Sequence, residues 1–345
     1  MRILVATDAW HPQVNGVVRT LQAVFSQLTK AGHTLMVISP DQFLNVPLPS
    51  YREIRLAVVA PGMIQRRIVE FAPDQIHVAT EGPLGMAARA VCIRLGLGFT
   101  TSYHTRFPEY LQSRLPIPLA WSYAWMRRFH NAGNGCMVAA KSIADDLQVR
   151  GFKNIVHWSR GVDHQLFNPC ADDGLAAEMG WARPVFVNVG RVSLEKNLEA
   201  FLKIPLPGSK VVVGEGPQRA RLAAHYPGVV FTGAKFGREL ARHYAAGDVF
   251  VFPSLTDTFG NVLLEALACG VPVAAFKVPG PLDVIGDSGA GVLDADLRKA
   301  ALAALGISRD KPRQVALGHS WEACARTLLE AGQNASRAGS LALSA

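Results

Sequence analysis

Short apolar runs rich in strand-forming residues recur along this chain, and a stretch with a helical pattern separates each run from the next. In the first half the runs cover residues 3–6, 34–39, 75–78, 99–103, 135–139 and 155–158. The alternation starts again in the second half, with runs at residues 185–189, 210–213, 229–232, 249–253, 271–276 and 291–293. Such alternation is typical of parallel sheets with helices on both faces. The sequence therefore predicts an α/β fold of two successive doubly wound, Rossmann-like domains.

The chain length agrees with two domains, because 345 residues are about twice the usual size of one domain. Turn and breaker residues lie between Gly161 and Pro169, where we place the junction. We predict a first domain over residues 1–163, a second over 164–312, and a C-terminal helix within 313–345 that packs back on the first domain. The small and polar residues after Gly332 are expected to form a frayed tail.

The sequence predicts a cytoplasmic protein without a membrane span. The charge-free runs at residues 115–126 and 266–276 hold 12 and 11 residues, and a spanning helix needs about 18 or more. The apolar start of the chain meets Asp8 at once and lacks a small-residue cleavage site, so it predicts a first strand and no signal peptide.

Neither a disulfide framework nor a metal site is predicted. The five cysteines are odd in number and far apart, and they form no C-x-x-C pair. Asp294 and Asp296 resemble a metal-binding acid pair but lie in a late loop away from the other motifs.

The basic charge is concentrated in the first half of the chain. Residues 1–165 hold 17 Lys and Arg against 10 Asp and Glu, whereas the remainder holds 18 against 17. Such a bias suits an anionic partner, which could be nucleic acid, a lipid surface or a phosphorylated substrate. Solubility alone accounts for it equally well, because no run of like charge exceeds two residues.

Glycines and cations follow several predicted strands, at the sheet edge where open α/β sheets bind ligands. Asn15 and Gly16 stand just before the first helix, which suits either anion binding or an ordinary strand-to-helix turn. Arg191 and Lys196 flank another helix start, where two cations and free amides could hold a diphosphate or simply face solvent.

The segment that begins Gly214-Glu215-Gly216 starts like a dinucleotide fingerprint. It carries Pro217 in the turn and Arg219 at the third glycine position. As a dinucleotide signature it therefore fails.

Two acids flank the start of a predicted helix in the second domain. Asp257 lies in the loop after a strand, and Glu265 lies within a helix that begins near Asn261. With the amides of Gly260 and Asn261 between them, they offer acceptors for sugar hydroxyls and donors for oxygen atoms. The same residues fit a helix cap and a partly exposed helical acid, and the pattern alone favours neither interpretation.

The segment from Ser254 to Asn261, followed by Leu-Leu-Glu-Ala-Leu-Ala-Cys-Gly-Val-Pro-Val, resembles the donor-site signature of retaining family 4 glycosyltransferases of the GT-B fold. Further segments match that family in order, at residues 12–20, 102–110, 160–163, 190–197 and 214–217. The resemblance covers residues 1 to about 280. It implies two facing Rossmann-like domains with the active site in the cleft between them.

The resemblance also implies a role for each matching residue. Arg191 and Lys196 would bind the donor diphosphate, with the Gly16 amide approaching it from the first domain. Glu265 would accept hydrogen bonds from the ribose hydroxyls, and His104 would lie beside the transferred sugar near the reaction centre.

Asp257 would accept a sugar hydroxyl, with the backbone of Phe259, Gly260 and Asn261 touching the same ring. Asp257 stands where the family usually has Glu, and Arg106 stands where an Asp is common. Arg191, Lys196, Asp257 and His104 are thus the predicted catalytic residues.

The function implied is transfer of a hexose, with retention, from a UDP- or GDP-sugar to a hydroxyl group. The nucleotide sugar is a co-substrate, and no metal or other cofactor is expected because the cations stabilise the departing diphosphate. Nucleic acid is not an expected partner. The alternatives are a soluble or polyprenyl-linked glycan as acceptor, or a catalytically weak nucleotide-sugar binding protein.

The expected acceptor is a membrane lipid such as diacylglycerol, reached from the inner face of the cell membrane. Cations and interfacial aromatics that suit an anionic bilayer follow the predicted strand that ends near Tyr103. They are Arg106, Trp121, Trp125, Arg127 and Arg128. Aromatic residues of a helix that packs on the core would give the same pattern.

Overall fold

The computed structural model describes residues 1–13, 15–48, 51–112, 117–171 and 174–343. The chain divides into two compact units. The first holds Met1–Arg160 together with the residues from Trp321 onward, and the second holds Gly161–Ser320.

The first unit is built on a six-stranded parallel sheet and a separate antiparallel hairpin. Its strands are β1 (Arg2–Ala6), β2 (Thr34–Ile38), β3 (Asn45–Leu48), β4 (Tyr51–Ala57), β5 (Gln75–Val78), β6 (Thr100–Tyr103), β7 (Gly135–Val138) and β8 (Ile155–His157). Its helices up to the junction are α1 (Gly16–Lys30), α2 (Pro61–Phe71), α3 (Pro83–Arg94), α4 (Phe107–Gln112), α5 (Leu119–His130) and α6 (Lys141–Val149). The parallel sheet has the order β2-β1-β5-β6-β7-β8, and β3 pairs with β4.

Strand β1 shows how this sheet is buried on both faces. Its Ile3 packs with Leu21 of α1, whereas the adjacent Leu4 packs with Ile64 of α2 and Leu84 of α3. All of these side chains are at most 1% exposed. Successive side chains of a strand point to opposite faces, so helices must cover both sides. Each such side chain contributes about 1.5–3 kcal/mol by leaving water.

The second unit repeats the architecture with its own six-stranded parallel sheet. Its strands are β9 (Val185–Val189), β10 (Ser209–Val213), β11 (Val230–Gly233), β12 (Val249–Phe252), β13 (Val273–Ala275) and β14 (Gly291–Leu293). Its helices are α7 (Leu175–Glu178), α8 (Leu198–Lys203), α9 (Arg219–His225), α10 (Gly237–Ala245), α11 (Asn261–Ala268), α12 (Pro279–Val284), α13 (Leu297–Ala304) and α14 (Asp310–Leu317). The strand order is β11-β10-β9-β12-β13-β14, the doubly wound order of dinucleotide-binding sheets. The predicted α/β class with two Rossmann-like domains is confirmed.

Helix α14 belongs to the second unit. The predicted C-terminal segment, residues 313–345, includes most of this helix. The guanidinium of Arg313 donates to the carbonyl oxygens of Phe167 at 2.9 Å and Ala268 at 2.7 Å. The boundary between the units therefore falls after Ser320, and not after residue 312.

The last helix, α15 (Trp321–Leu343), packs in the first unit. Trp158 Nε1 donates to the Cys324 carbonyl at 2.9 Å, and Gln75 Nε2 donates to the Leu329 carbonyl at 3.1 Å. The expected fraying after Gly332 is wrong, because the helix continues to Leu343. Gly332 serves close packing: a Cβ there would lie 2.3 Å from Gln75 Oε1. Within the described ranges no helix, α15 included, has both the length and the apolar character needed to cross a bilayer.

Candidate active site

The loops after β9 and β12 bring a predicted cation and a predicted acid together. These strands are neighbours at the point where the chain order of the second sheet reverses, which is where such sheets bind ligands. Lys196 Nζ donates to Asp257 Oδ1 at 2.5 Å. Their side chains are 33% and 21% exposed, so the pair is partly desolvated and still accessible to a ligand.

Two further contacts hold these loops in register. Asn197 Nδ2 donates to the Pro253 carbonyl at 3.0 Å, and Thr256 Oγ1 donates to the Glu195 carbonyl at 3.4 Å. Asn197 takes a left-handed conformation with φ of 51°, which ends the short 3-10 turn Leu194–Lys196 and allows α8 to begin. The residues on both sides of Lys196 are therefore held by hydrogen bonds to the loop after β12.

The glycines of the incomplete fingerprint allow the loops after β9 and β10 to pack closely. A Cβ on Gly214 would lie 1.8 Å from the Gly190 carbonyl oxygen, and one on Gly216 would lie 2.4 Å from that of Val192. Val192 N also donates to the Glu215 carbonyl at 2.9 Å. Arg191 lies exposed in the loop that these contacts fix.

Helix α11 begins beside the acid loop and carries Glu265. Its N-cap is Gly260, at φ of 85°, which supplies no side-chain acceptor to the first amides of the helix. These amides and the positive end of the helix dipole favour an anion or an oxygen atom. Phe259 is buried and Asn261 half-buried, so the predicted sugar-contacting segment is anchored on one side.

Glu265 has a buried partner that the sequence did not reveal. The hydroxyl of Tyr244 donates to Glu265 Oε2 at 2.7 Å. Tyr244 lies on α10, is fully buried, and packs against Phe250 with ring centroids 5.6 Å apart. No sequence signal distinguishes such a tyrosine from an ordinary core residue of an amphipathic helix.

Asp257 keeps hydrogen-bonding capacity beyond its contact with Lys196. Its Oδ2 atom is buried and has no hydrogen-bond partner among the described residues. A buried polar atom left without a partner costs about 1–3 kcal/mol, which a ligand hydroxyl would recover.

In the first unit, side chains of the protein itself accept hydrogen bonds from the first amides of α3 and α1. The Asp8 carboxylate accepts from Leu84 N at 2.9 Å and Gly85 N at 3.2 Å, at the start of α3. Burial raises the pKa of Asp8 despite these bonds. At the start of α1, Asn15 Oδ1 accepts from the amides of Val17 and Val18 at 3.0 Å each.

Gly16 is exposed at the beginning of α1, next to this Asn15 cap. Its contact with a diphosphate stays a prediction.

His104 lies just after β6 in contact with a buried arginine. Arg160 Nη2 and His104 Nδ1 are 3.2 Å apart. Burial, followed by the charge of Arg160, holds the pKa of His104 well below its usual value, so the imidazole is neutral.

Of the five residues predicted to face a membrane, three share the outer face of α5. Trp121 is 73% exposed and Trp125 is 40% exposed. Arg128 is also exposed, and the spacing of four and three residues places all three on one side of the helix. We call Trp121, Trp125 and Arg128 the α5 surface.

The other two arginines contact the protein. Arg106 lies 3.9 Å from Glu109 and 3.8 Å from Asp146 through its guanidinium nitrogens. Arg127 Nη1 donates to the Arg150 carbonyl at 2.9 Å. These contacts hold both side chains against the unit, with Arg106 half-buried and Arg127 still exposed.

The late acid pair has a structural role. Asp296 caps α13 by accepting from Arg298 N at 2.9 Å and Lys299 N at 3.2 Å, and Asp294 pairs with Lys299 Nζ at 2.8 Å. In the described part of the chain, no group of three or more His, Cys, Asp or Glu side chains is arranged to hold a metal ion.

Comparison with known proteins adds two family matches. A family model described as Glycosyltransferase Family 4 matches residues 14–166, and one described as Glycosyl transferases group 1 matches residues 183–310. A GDP-mannose-dependent alpha-mannosyltransferase from Mycobacterium tuberculosis is 32% identical over 85% of this chain and 83% of its own length. An alpha-monoglucosyldiacylglycerol synthase from Streptococcus pneumoniae is 26% identical over 88% of this chain and 78% of its own.

A solved structure has the same fold along nearly the whole chain. Sucrose-phosphate synthase from Thermosynechococcus elongatus gives a TM-score of 0.73 and covers 95% of this chain and 97% of its own. At 21% identity this likeness concerns the fold alone.

Proposed function

This chain belongs to the family 4 glycosyltransferases, and from that premise we propose that it transfers a hexose, with retention, from a nucleotide diphosphate sugar to the hydroxyl of a membrane lipid. That the chain is a glycosyltransferase follows from its family. The lipid acceptor, the donor and the roles of the residues are proposals. The observation that carries the proposed donor site is the contact between Lys196 and Asp257, at the sheet edge where such folds bind ligands.

Lys196 and Arg191 are proposed to bind the donor diphosphate. An ammonium group has three N–H donors, so Lys196 can keep its bond to Asp257 and still donate to phosphate oxygens. Asp257 thereby orients the ammonium group, and its second carboxylate oxygen accepts a hydrogen bond from a hydroxyl of the sugar. Glu265, which accepts a hydrogen bond from Tyr244, also accepts hydrogen bonds from the ribose hydroxyls.

Bond breaking places negative charge on the diphosphate as the bond from the anomeric carbon to the phosphate oxygen lengthens. Fixed cations and helix amides stabilise such charge without reorganising, which is the largest contribution in many enzymes. The acceptor hydroxyl attacks from the face that the diphosphate leaves, and the departing phosphate oxygen takes its proton. These steps together retain the configuration at the anomeric carbon. The fixed cations and helix amides of the protein stabilise the charge on the leaving diphosphate.

The lipid acceptor is supported by the α5 surface and by one relative. Two exposed indoles beside an arginine suit the interface of an anionic bilayer. The similar protein from Streptococcus pneumoniae is named for a diacylglycerol product. A cytoplasmic protein that binds the inner membrane face through α5 fits both observations.

GDP-mannose is the donor we propose to test first, because the similar protein from Mycobacterium tuberculosis is named for it. The full-length chain is incubated with GDP-mannose, or UDP-glucose for comparison, and vesicles that contain diacylglycerol and an anionic lipid. The product is isolated and its anomeric configuration is read by NMR. We expect an α-linked lipid glycoside.

The contribution of the α5 surface is tested with Trp121→Ser. Burying a large apolar side chain contributes about 1.5–3 kcal/mol, so we expect vesicle affinity to fall by about tenfold or more. Phe236→Ser is the matched control, because Phe236 is 63% exposed but lies in the second unit. If both variants bind vesicles like the unmodified chain while water-soluble sugars are glycosylated, the acceptor is a soluble glycan. Donor binding with no transfer to any acceptor indicates a nucleotide-sugar binding protein instead.

A further inference from the structure

We infer that Arg160 sets the tautomer of His104, so that the imidazole presents a fixed Nε2–H donor to the transferred sugar. Arg160 is in this view a positioning residue, which acts through His104. The part that concerns the sugar rests on the proposed function, whereas the tautomer is a property of the protein itself.

The tautomer follows from the chemistry of the two groups. Arg160 Nη2 and His104 Nδ1 are 3.2 Å apart. A guanidinium group has five N–H donors and no acceptor. His104 Nδ1 must therefore offer its lone pair, and a neutral imidazole that accepts at Nδ1 carries its hydrogen at Nε2.

Arg160 is held so that this contact persists. Its Nη1 atom donates to the Trp158 carbonyl at 2.9 Å, and its guanidinium carbon lies 4.6 Å from the centroid of the Trp158 ring. The side chain is 5% exposed. A planar cation that is stacked on an indole and bonded to a carbonyl has little freedom to rotate away.

Other charged and titratable groups around His104 also keep it neutral. Desolvation, the Arg160 cation, and the nearby His77 and His130 all lower the pKa of His104. His77 is itself engaged, with Ser102 Oγ 2.9 Å from its Nε2 and Thr100 Oγ1 2.8 Å from its Nδ1. His104 thus cannot serve as an imidazolium near neutral pH, and what it offers is a hydrogen-bond donor.

A fixed Nε2–H group selects for an oxygen acceptor on the ligand. A sugar hydroxyl oxygen accepts from it, whereas the opposite tautomer would present a lone pair and require the hydroxyl to donate instead, which reverses the direction of the hydrogen bond. Without Arg160 both tautomers of His104 are accessible, and a fraction of the protein molecules carries the hydrogen at Nδ1. We expect this to reduce kcat more than donor KM, because positioning close to the reacting bond matters most in the transition state.

The test is ¹⁵N NMR of the full-length chain labelled at histidine, with His104→Gln to assign the resonances among the 10 histidines. We expect His104 to show a protonated Nε2 and an unprotonated Nδ1, without titration near neutral pH. Arg160→Met keeps an unbranched apolar side chain but removes the N–H donors, and should show a mixture of tautomers. Arg160→Lys should retain the tautomer, since an ammonium also only donates.

The kinetic readout accompanies the spectrum. We expect Arg160→Met to lower kcat by about 10- to 100-fold, by analogy with the removal of partners that orient metal-bound histidines, and Arg160→Lys to recover part of it. Ser102→Ala is the control, because it removes a buried hydrogen bond to His77 and leaves the contact between Arg160 and His104 in place. A protonated Nδ1 in the unmodified chain, or an Arg160→Met variant with unchanged tautomer and kcat, overturns the inference. The spectrum is recorded without substrate, so a failure of the transfer assays bears on the proposed function alone.

Discussion

Lys196 is held by contacts from residues that are distant in sequence. Asp257 lies 61 positions further along the chain, and the Asn197 side chain that fixes the turn reaches the carbonyl of Pro253. A motif can identify both charged residues, because their types and spacing are characteristic of the family. The direct bond between them depends on β9 and β12 being neighbours, which the spacing does not encode.

Replacing Lys196 tests its role in transfer. We expect Lys196→Ala to lower kcat by about 10²-fold, the loss typical when one preorganised donor to the transition state is removed. Lys203→Ala is the matched control, because Lys203 pairs with Glu199 at 2.8 Å and is 64% exposed on α8. Steady-state kinetics with saturating donor measure both variants. Equal kcat values for the two would show that Lys196 does not stabilise the leaving group.

The sequence could not predict the buried residues that hydrogen-bond to the site residues. The family motifs identify Glu265 and His104, but not Tyr244 or Arg160, which contact them. Arg160 and His104 are separated by 56 positions and meet only because the strand order brings their loops together. Buried hydrogen-bond partners of this kind depend on the whole fold, so a local pattern cannot reveal them.

The secondary structure elements were largely predictable because most strands are buried and apolar. The run expected at residues 291–293 coincides with β14 (Gly291–Leu293), and the one at 271–276 contains β13 (Val273–Ala275). The hairpin of β3 and β4 was missed. Pro47 interrupts its first strand, and a proline within an apolar run argues against a strand unless the strand lies at an edge.

Glycines in the second unit are required by close loop packing, and Gly214→Ala tests this. A Cβ at Gly214 would lie 1.8 Å from the Gly190 carbonyl, so the loops after β9 and β10 must separate. Overpacking of this kind costs about 1–3 kcal/mol, and it displaces Arg191. We therefore expect a lower free energy of unfolding together with weaker binding of nucleotide diphosphate, measured by urea unfolding and calorimetry.

Gly228→Ala is the control for that substitution, since no atom lies within 4 Å of a Cβ at Gly228. We expect it to bind the nucleotide like the unmodified chain. If Gly214→Ala is equally stable and binds equally well, the close approach of the two loops is not needed for the site.

At the scale of the molecule, the two units share a sheet architecture but differ at the starts of the helices that follow their central strands. In the first unit Asp8 and Asn15 occupy the amides at the starts of α3 and α1. In the second unit α11 starts after Gly260, which offers no side chain to its amides. This difference favours binding of the anionic donor by the second unit, and the family signature in that unit agrees with it.

The second unit should therefore fold and bind nucleotide without the first. It has its own sheet with buried residues on both faces, such as Phe186 and Phe250, and it contains Arg191, Lys196, Asp257 and Glu265. We expect a fragment of residues 161–320 to unfold cooperatively. Its Kd for GDP should lie within about tenfold, or 1.4 kcal/mol, of the value for the whole chain.

Calorimetry on the fragment, the whole chain and a fragment that carries Lys196→Ala measures this expectation. The substituted fragment should bind less tightly, because it has lost one cation from the diphosphate site, while its circular dichroism stays unchanged. A folded fragment with no affinity for GDP or UDP would mean that residues of the first unit, such as Gly16, supply an essential part of the nucleotide site. Transfer activity is expected only from the whole chain, since His104 and the α5 surface belong to the first unit.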